Sequence, residues 1–429
     1  MQGGHQMNNS TEQGRGQTAL VTGGANGIGW AICQALAARG YRVAIADLDL
    51  AVAQERAQTL GSDHLALGVD LTDANAASAL PGQAAQALGR LDLVVNNAGM
   101  TDTTGKSIAT LPEDRFDRLV ALNLTAVQRI CDAAAPLLPW GGAIINLASG
   151  AAWRPLALRG PYSATKSAIV ALTEGLAQDL APQGIAVSAV APGYTRTPLL
   201  QSLHDEGRVD LVAIARGIPL GRLVEPEDIA GAVAFLASPA GHRLSGETLS
   251  VDAGSQVAQG PLPDPAIAPA AGTTPGDAVV VLSDTGDTAL RDALNAGADP
   301  EGTTGLAHVI DTRLGSADPA QALRLARDTA RRCAALQARS PGFALTFVLT
   351  RGTGQPAGTA SRAAETAVAM LGRTLALEWA AAGMRVNTVL SQATLDAATD
   401  AADLAALCRY VGSDAAAALT GQLIRAIGT

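Results

Sequence analysis

The feature that most constrains this chain is a regular alternation of short apolar runs with longer stretches rich in alanine and leucine. The apolar runs have the length of buried strands, and the stretches between them have the spacing of amphipathic helices. Strands and helices that alternate in this way form βαβ units on a parallel sheet. From Gln17 onward we therefore predict an α/β fold with a doubly wound parallel sheet of the Rossmann type. The apolar runs are TALVTG, RVAIAD, LDLVVNNAG, GAIINLAS and IAVSAVAPG.

The length of the chain and a change in its composition predict two domains. A chain of 429 residues exceeds what a single hydrophobic core usually organises. Residues 257–276 are rich in proline and glycine and lack periodicity, so they are expected to form a linker. The strand–helix alternation returns after them, which predicts a second, incomplete Rossmann-like domain over residues 277–429. The polar residues 1–16 are expected to be disordered, and the first domain spans residues 17–256.

Composition excludes several classes of function. The formal net charge of -9 argues against a nucleic-acid partner, which requires clustered Lys and Arg. The sequence contains neither a run of roughly 18 apolar residues nor a secretory signal, so we expect no membrane partner and a cytoplasmic location. Four widely spaced cysteines and five histidines without ligand spacing predict neither a disulfide framework nor a metal site.

A glycine-rich segment joins the first strand to the first helix. In TGGANGIG, Thr22, Gly23, Gly27 and Gly29 have the spacing T-G-x-x-x-G-x-G. Glycines let the backbone approach a pyrophosphate, and the helix amino terminus offers unpaired N–H groups. The next strand ends in Asp47, whose carboxylate can accept hydrogen bonds from ribose hydroxyls and would repel a 2′-phosphate. This pattern predicts NAD rather than NADP, and the alternative for Asp47 is a cap of the next helix.

Further motifs follow the glycine loop along the chain. They are the NNAG segment that ends at Gly99, the single residues Asn123 and Ser149, the Y-x-x-x-K pair Tyr162 and Lys166, and PGYTRT from Pro192. In this order and at these separations, the set resembles the short-chain dehydrogenase/reductase family over about 240 residues.

The resemblance implies an oxidoreductase that moves a hydride between NAD(H) and a secondary alcohol or its ketone, a small-molecule substrate. Asp70, in the turn after a third strand, would meet the adenine or else be merely solvated. Thr195 stands where the family usually has Val or Ile, which leaves its backbone contact with the nicotinamide carboxamide in place. The cofactor-binding residues that the resemblance implies are Thr22, Gly23, Asn26, Gly27, Ile28, Gly29, Asp47, Asp70, Asn97, Ala98, Gly99, Tyr162, Lys166, Pro192, Gly193, Thr195 and Thr197.

The catalytic residues implied are Asn123, Ser149, Tyr162 and Lys166. A free tyrosine, with a pKa of about 10, is poorly matched to proton transfer near neutral pH. Tyr162 and Lys166 lie one helical turn apart, so the ammonium group can stabilise the phenolate. By resemblance, Tyr162 is the general acid/base, Ser149 hydrogen-bonds the substrate oxygen, and Asn123 holds a water that relays protons to Lys166.

The second domain aligns with the first as a shortened repeat. The stretch from Tyr162 aligns without gaps to the stretch from Ser361, which places Glu365 on Lys166. A second aligned block places Gly421 on Gly246, and 24 residues are missing between the two blocks. A strand and a helix that would bind adenosine are also expected to be missing. We therefore expect residues 277–429 neither to bind NAD nor to react.

The shortened repeat retains stretches that commonly form subunit interfaces in the family. It is therefore expected to act as an inert partner, so that two chains form a homodimer resembling a tetramer.

Several alternatives remain open at the level of the sequence. One is the reduction of 3-oxoacyl thioesters, and another is an NAD-binding regulator or scaffold without turnover. Residues 198–225 are expected to form a lid over the substrate, whose identity the sequence does not provide. Arg154 and Arg159 are candidates to receive an anionic substrate group, although exposed loop arginines are more often solvated.

Overall fold

The computed structural model describes most of the chain. The predicted N-terminal segment lies outside the described residues except for Gly16, and the predicted linker lies outside them except for Val257 and Ala258. No helix within the described ranges is long and apolar enough to cross a membrane. The described residues are 16–104, 106, 110–154, 156, 158–258, 278–283, 288–295, 306–314, 319–337, 342–350, 359–391 and 398–426.

The first sheet has seven strands in the order β3-β2-β1-β4-β5-β6-β7, and β1 to β6 pair in parallel. The order reverses between β1 and β4, as in a doubly wound fold, and this predicted fold class is confirmed. The strands are β1 Thr18–Thr22, β2 Arg42–Asp47, β3 Leu65–Gly68, β4 Leu93–Asn96, β5 Ala143–Leu147, β6 Ala186–Pro192 and β7 Thr248–Val251.

Helices cover both faces of this sheet. On one face α1 contacts α9, and on the other α3 contacts α5 beside α6. The second face buries a continuous apolar cluster that includes Leu20, Val94, Ile144, Ile130 and Ile169. The helices are α1 Gly27–Ala38, α2 Leu50–Leu60, α3 Ala74–Leu88, α4 Glu113–Val120, α5 Ala126–Ala134, α6 Gly160–Leu180, α7 Pro198–Asp205, α8 Leu211–Arg216 and α9 Pro226–Leu236.

Residue contacts divide the chain into two compact units. The second unit begins earlier than the predicted boundary, because it also includes short segments that follow β6 and the residues from Ser250 onward. The first unit is Met1–Pro192, Arg196–Gln201 and Glu225–Leu249, and the second is Gly193–Thr195, Ser202–Val224 and Ser250–Thr429.

The second unit contains a parallel five-stranded sheet in the order β12-β11-β10-β9-β8. Helices α11 and α12 pack on one face over a cluster that includes Phe347, Val368 and Cys333. Helices α10 and α13 contact each other. The elements are β8 Ala278–Leu282, α10 Thr288–Asn295, β9 Leu306–Asp311, α11 Pro319–Gln337, β10 Ala344–Thr350, α12 Thr359–Glu378, β11 Arg385–Ser391, α13 Ala398–Gly412 and β12 Leu423–Ala426.

The two sheets share local details at matching positions. The N–H of Gly246 donates to the carbonyl of Val187 at 2.7 Å, and that of Gly421 donates to the carbonyl of Val386 at 2.7 Å. Both glycines have positive φ, 87° and 71°, a conformation that favours glycine. These are the pairs that the sequence alignment superimposes.

The second sheet is shorter by two strands. Strand β8 pairs directly with β9, as β1 pairs with β4, so within the described residues β2, β3, α2 and α3 have no counterpart. The sequence analysis expected the loss of one strand and one helix. The difference in length between the two aligned stretches gives the number of residues that the second one lacks. It does not show how many strands and helices those residues would form.

Candidate active site

The predicted site residues follow the carboxyl ends of the strands. Thr22 ends β1, Asp47 ends β2, and Asn97 follows β4. Ser149 follows β5 after one residue, and Pro192 ends β6. In an open parallel sheet the carboxyl ends of the strands line the crevice where ligands bind. Residues separated in sequence by up to 170 positions therefore meet along one edge.

Asn97 ties the glycine loop to this edge. Its side-chain amide donates to the carbonyls of Thr22 at 3.0 Å and Gly23 at 2.9 Å. The Thr22 hydroxyl in turn accepts from the N–H groups of Asn97 and Ala98, each at 3.1 Å. The NNAG segment, predicted to contact the cofactor, thus also holds the loop that would receive the pyrophosphate.

The glycine loop fits a nucleotide because it leaves no room for side chains. A Cβ at Gly29 would overlap the carbonyl oxygen of Gly23, and Gly27 has φ of 53°. Asn26 is the N-cap of α1, and its side chain makes no cap hydrogen bond. The N–H groups of the first helical turn, including that of Ile28, are thus not capped by this side chain, as an anion site requires.

The segment after β6 returns to the glycine loop. A Cβ at Gly27 would lie 3.7 Å from Pro198 and 3.9 Å from the Thr197 methyl group. The Thr197 hydroxyl accepts from the N–H of Leu200 at 3.3 Å. This residue therefore caps the first turn of α7, while its methyl group faces the glycine loop. Thr197 and Gly27, which were both predicted to bind the cofactor, are therefore neighbours in the structure.

Asp47 is anchored at the end of β2 by two backbone donors. One carboxylate oxygen accepts from the N–H of Ala25 at 3.0 Å, and the other accepts from the N–H of Asp49 at 3.1 Å. The cap of α2 is Asp49, whose side chain accepts from the N–H of Val52. The alternative that Asp47 caps the next helix is therefore wrong, and its carboxylate is oriented toward the glycine loop.

Asp70 lies in an exposed turn after β3. Its carboxylate accepts from the N–H of Thr72 at 2.9 Å and from the Thr72 hydroxyl at 2.7 Å. These two hydrogen bonds lower the pKa of Asp70 below its ordinary value. The side chain therefore stabilises its own turn, and its contact with adenine stays a prediction.

Ser149 and Tyr162, two of the predicted catalytic residues, lie next to each other. Ser149 is the N-cap of a short 3₁₀ turn, Gly150–Ala152, and its hydroxyl hydrogen-bonds Tyr162. Burial raises the pKa of Tyr162, while the hydrogen bond with Ser149 and the positive charge of Arg159 lower it. Since burial is the larger effect, the net pKa is above the usual value for tyrosine.

Lys166 lies on the same face of α6 as Tyr162 and is buried, with 6% of its surface exposed. Its ammonium donates to the Leu147 carbonyl at 2.7 Å and lies 6.0 Å from the centre of the Tyr162 ring. Burial lowers the pKa of Lys166 to about 8. The sequence placed this ammonium beside a phenolate, and the structure adds an anchor on the end of β5.

Asn123 lies in a π-helical turn, Ala121–Thr125, between α4 and α5. Its side chain accepts from the N–H of Met100 and donates to the carbonyl of Met100, both at 2.8 Å. A Cβ at Gly99 would lie 3.3 Å from Asn123 Oδ1 and 3.5 Å from Lys166 Nζ. Asn123 thus fixes the chain after NNAG beside Lys166, and the relay water implied by resemblance stays a prediction.

Gly193 and Thr195 belong to the second unit. A Cβ at Gly193 would lie 2.7 Å from the Cα of Asp252, which explains the glycine. Thr195 is buried, its hydroxyl donates to the Gly193 carbonyl at 3.1 Å, and its backbone bridges to Val224. The Thr195 side chain is thus engaged locally, which leaves its predicted contact to the backbone.

Both candidate arginines have interactions within the protein. Arg159 donates to the Thr101 hydroxyl at 3.1 Å, and Arg154, although exposed, also has a partner. The proximity of Arg159 to Tyr162 indicates an electrostatic effect on the phenol, a role that the sequence analysis did not assign.

Two groups in the first unit were missed from the sequence. Asn96 donates to Asn146 at 2.9 Å, and Asn146 donates to Thr173 at 3.0 Å, which links β4, β5 and α6 through buried polar side chains. Arg56, on α2, donates to the Ala25 carbonyl in the glycine loop at 3.2 Å. Asn96 opens the NNAG motif, but its partners Asn146 and Thr173 belong to none, and their polar side chains in otherwise apolar elements were the visible signal. Arg56 follows no motif.

Comparison with known proteins identifies the first domain. A protein-family model described as Enoyl-(Acyl carrier protein) reductase matches residues 23–256. An "Uncharacterized short-chain type dehydrogenase/reductase y4vI" from Sinorhizobium fredii is 39% identical over 239 residues, which is 56% of this chain and 43% of that protein. Sorbitol dehydrogenase from Cereibacter sphaeroides is 34% identical over 252 residues, covering 56% of this chain and 97% of that protein. A 3-oxoacyl-[acyl-carrier-protein] reductase from Vibrio cholerae is 34% identical over 241 residues, covering 56% of this chain and 97% of that protein.

Solved structures agree with these relatives. A 3-ketoacyl-(acyl-carrier-protein) reductase from Brucella melitensis complexed with NADH has a TM-score of 0.52 and 32% identity, over 56% of this chain and 99% of that one. A short chain dehydrogenase from Burkholderia cenocepacia in complex with NADP has a TM-score of 0.53 and 34% identity, over 57% of this chain and 99% of that one.

The chain belongs to the short-chain dehydrogenase/reductase family. It is an oxidoreductase that uses a nicotinamide cofactor to interconvert alcohols and ketones. The family and the reaction class predicted from the sequence are confirmed.

The charge of Arg159 leads to a prediction about pH. In the predicted role of Tyr162, alcohol oxidation needs the phenolate, so the rate should rise as pH increases through the pKa of this group. The positive charge of Arg159 lowers the pKa of Tyr162, so removal of this charge should raise that pKa. In Arg159→Gln, the rising limb of kcat/KM for oxidation should therefore move to higher pH. The matched control is Arg154→Gln, in the same segment, which should leave the pH profile of kcat/KM unchanged. An unchanged pH profile in Arg159→Gln would contradict the proposed effect of Arg159 on the pKa of Tyr162.

Proposed function

We propose that residues 17–256 form an NAD-preferring dehydrogenase of secondary alcohols in which Tyr162 is the general acid/base. The observation that carries the proposal is the hydrogen bond between Ser149 and Tyr162, with Lys166 buried one helical turn further along α6. Ser149 also caps a 3₁₀ turn, but a solvated lysine does not explain the burial of Lys166. An intact group of this kind favours an enzyme over a regulator that binds NAD without turnover.

Each side chain has a distinct part in this reaction. The nicotinamide ring, when bound, takes or gives the hydride. Ser149 donates a hydrogen bond to the substrate oxygen and positions it against Tyr162. In oxidation the Tyr162 phenolate removes the hydroxyl proton, and in reduction the phenol returns a proton to the oxygen. Lys166, fixed on the Leu147 carbonyl, supplies positive charge near the phenolate and would hold the nicotinamide ribose.

The cofactor would lie along the carboxyl edge of the first sheet. The N–H groups at the start of α1 would receive the pyrophosphate, and Asp47 would accept from the adenosine ribose. The preference for NAD rests on the Asp47 carboxylate, which would repel a 2′-phosphate.

Replacement of Tyr162 tests the catalytic assignment. Tyr162→Phe keeps the ring and removes the proton donor, so kcat should fall by roughly 10²- to 10⁴-fold while NAD affinity stays nearly unchanged. Turnover is measured as NADH formation with a panel of secondary alcohols, polyols and 3-hydroxyacyl thioesters. Tyr41→Phe is the matched control, because this buried tyrosine donates only to the Ala237 carbonyl, at 3.3 Å. Full activity in Tyr162→Phe would remove Tyr162 from its role.

Replacement of Asp47 tests the cofactor preference. Asp47→Asn removes the charge but keeps an oxygen that can accept from the N–H of Ala25, so the glycine loop retains its anchor. The ratio of kcat/KM for NADP to that for NAD should rise by about tenfold, equivalent to about 1.4 kcal/mol. Steady-state kinetics with both cofactors measure this ratio. An unchanged ratio would show that Asp47 does not contact the ribose.

A specific observation favours a second candidate substrate. Trp153 and Leu158, in the segment between Ser149 and Tyr162, have 45% and 52% of their surface exposed. Leu158 also has φ of 63°, a strained conformation for a residue with a side chain. Exposed apolar side chains beside the catalytic pair suit the acyl chain of a 3-oxoacyl thioester better than a polyol. The substrate panel above separates these two classes.

We also propose that the second sheet belongs to a degenerate copy of the first domain without a catalytic role of its own. Its position for Tyr162 is Ser361 and its position for Lys166 is Glu365, and an acid cannot stabilise a phenolate. The matching turns at Gly246 and Gly421 support common descent of the two sheets. The copy would act as a built-in partner, so that two chains form a dimer resembling a tetramer. A cytoplasmic location is proposed as well, because all four cysteines are buried and free.

Light scattering of the purified full chain tests this assembly. Two chains of 43.2 kDa should form a species of about twice that mass across a tenfold range of concentration. A species with the mass of four chains would mean that the copy does not replace a subunit. A monomer would mean that it covers no interface between chains.

A further inference from the structure

The backbone of Ala25, in the middle of the glycine loop, lies between two charged side chains. Its N–H donates to the Asp47 carboxylate at 3.0 Å, and its carbonyl accepts from Arg56 Nε at 3.2 Å. The Ala25 side chain is fully buried. Two successive peptide groups, joined at the Ala25 Cα, therefore connect the carboxylate at the end of β2 to a guanidinium group on α2.

The Arg56 guanidinium is fixed on its second side by Trp30. Its central carbon lies 4.9 Å from the centre of the Trp30 ring, on α1. Arginine stacks on aromatic faces and presents its donors in a rigid plane, so a stacked guanidinium loses little freedom when it forms a hydrogen bond. Trp30 and Arg56 thus join α1 to α2 on either side of the loop.

Side chains hold two carbonyls of the glycine loop from opposite ends of its turn in sequence. Asn97 holds the carbonyl of Gly23, and Arg56 holds the carbonyl of Ala25. Asn26, the next residue, is exposed and makes no side-chain cap hydrogen bond. Without Arg56, the carbonyl of Ala25 would lose this hydrogen bond, and the Ala25 backbone could rotate together with the Asp47 carboxylate that its N–H contacts.

We propose that Arg56, stacked on Trp30, is a positioning residue for the adenosine end of the cofactor. It acts through the backbone of Ala25, which orients the Asp47 carboxylate toward the ribose before the nucleotide binds. The inference rests on the proposed function for the location of the nucleotide. A preorganised loop improves affinity because the ordering cost is met before binding. Loss of the anchor should therefore weaken NAD more than NADP, because a displaced Asp47 carboxylate also repels a 2′-phosphate less, and it should not alter the chemical step.

Kinetics of the full chain test the proposal. Arg56→Gln should raise the KM for NAD by roughly tenfold and the KM for NADP by a smaller factor, with kcat unchanged. Trp30→Leu should act in the same direction, because it removes the surface on which Arg56 stacks. Arg56→Lys keeps the charge but lacks the planar group, and it should restore less than half of the lost affinity. Gln54→Ala, an exposed change on the same helix, is the control and should have no effect.

Three kinetic outcomes would overturn the proposal. A loss confined to NADP would mean that Arg56 contacts the 2′-phosphate directly. A fall in kcat at constant KM would place Arg56 in the chemical step. Unchanged kinetics in Arg56→Gln would mean that the Asn97 anchor alone fixes the loop.

A cofactor-free readout separates this inference from the proposed function. The amide hydrogens of residues 24–27 should exchange faster in Arg56→Gln than in the wild type, and Gln54→Ala should match the wild type. Unchanged exchange would refute the anchoring role even if the enzyme is active. Failure of the wild type to bind NAD in a calorimetric titration would refute the proposed function. Faster exchange in Arg56→Gln would still support the anchoring role of Arg56 in that case.

Discussion

The hydrogen bonds from the Asn97 side chain to the carbonyls of Thr22 and Gly23 are the constraint on which the site depends. They join the start of the glycine loop to the end of β4, and they are short because Gly29 has no side chain to keep the loop away. The same segment continues to Gly99, which lies beside Asn123 and Lys166. Nucleotide loop and catalytic lysine are thereby placed relative to each other by a single stretch of backbone.

The catalytic group combines opposing electrostatic effects. Burial raises the pKa of Tyr162, and burial lowers that of Lys166 to about 8, so the low-polarity environment disfavours the charged form of both. The Ser149 hydrogen bond and the Arg159 charge oppose this effect at the phenol. Burial remains the larger effect, so the net pKa of Tyr162 stays above its ordinary value.

Much of this arrangement could be predicted from the sequence, because its signals are local. The T-G-x-x-x-G-x-G spacing and the Y-x-x-x-K pair each lie within one turn or helix, and strand ends in a parallel sheet meet at one edge. The Arg56 contact could not be predicted, since Trp30 and Arg56 lie on different helices and neither belongs to a periodic pattern. The assignment of residues 202–224 to the second unit depends on tertiary contacts, which no local pattern encodes.

If the second sheet is a shortened copy of the first, as proposed above, the loss of two strands changes the position of a third. In the first sheet β1 lies at the centre, with β2 on one side and β4 on the other, whereas its counterpart β8 ends the second sheet in the described part of the chain. Four of the five β8 residues are only partly buried, although the strand reads AVVVL. Its outer N–H and C=O groups have to be satisfied by water or by another segment. Deletion of strands from a parallel sheet thus makes an apolar central strand an edge strand. Pairing of such an edge strand with another chain has to be prevented.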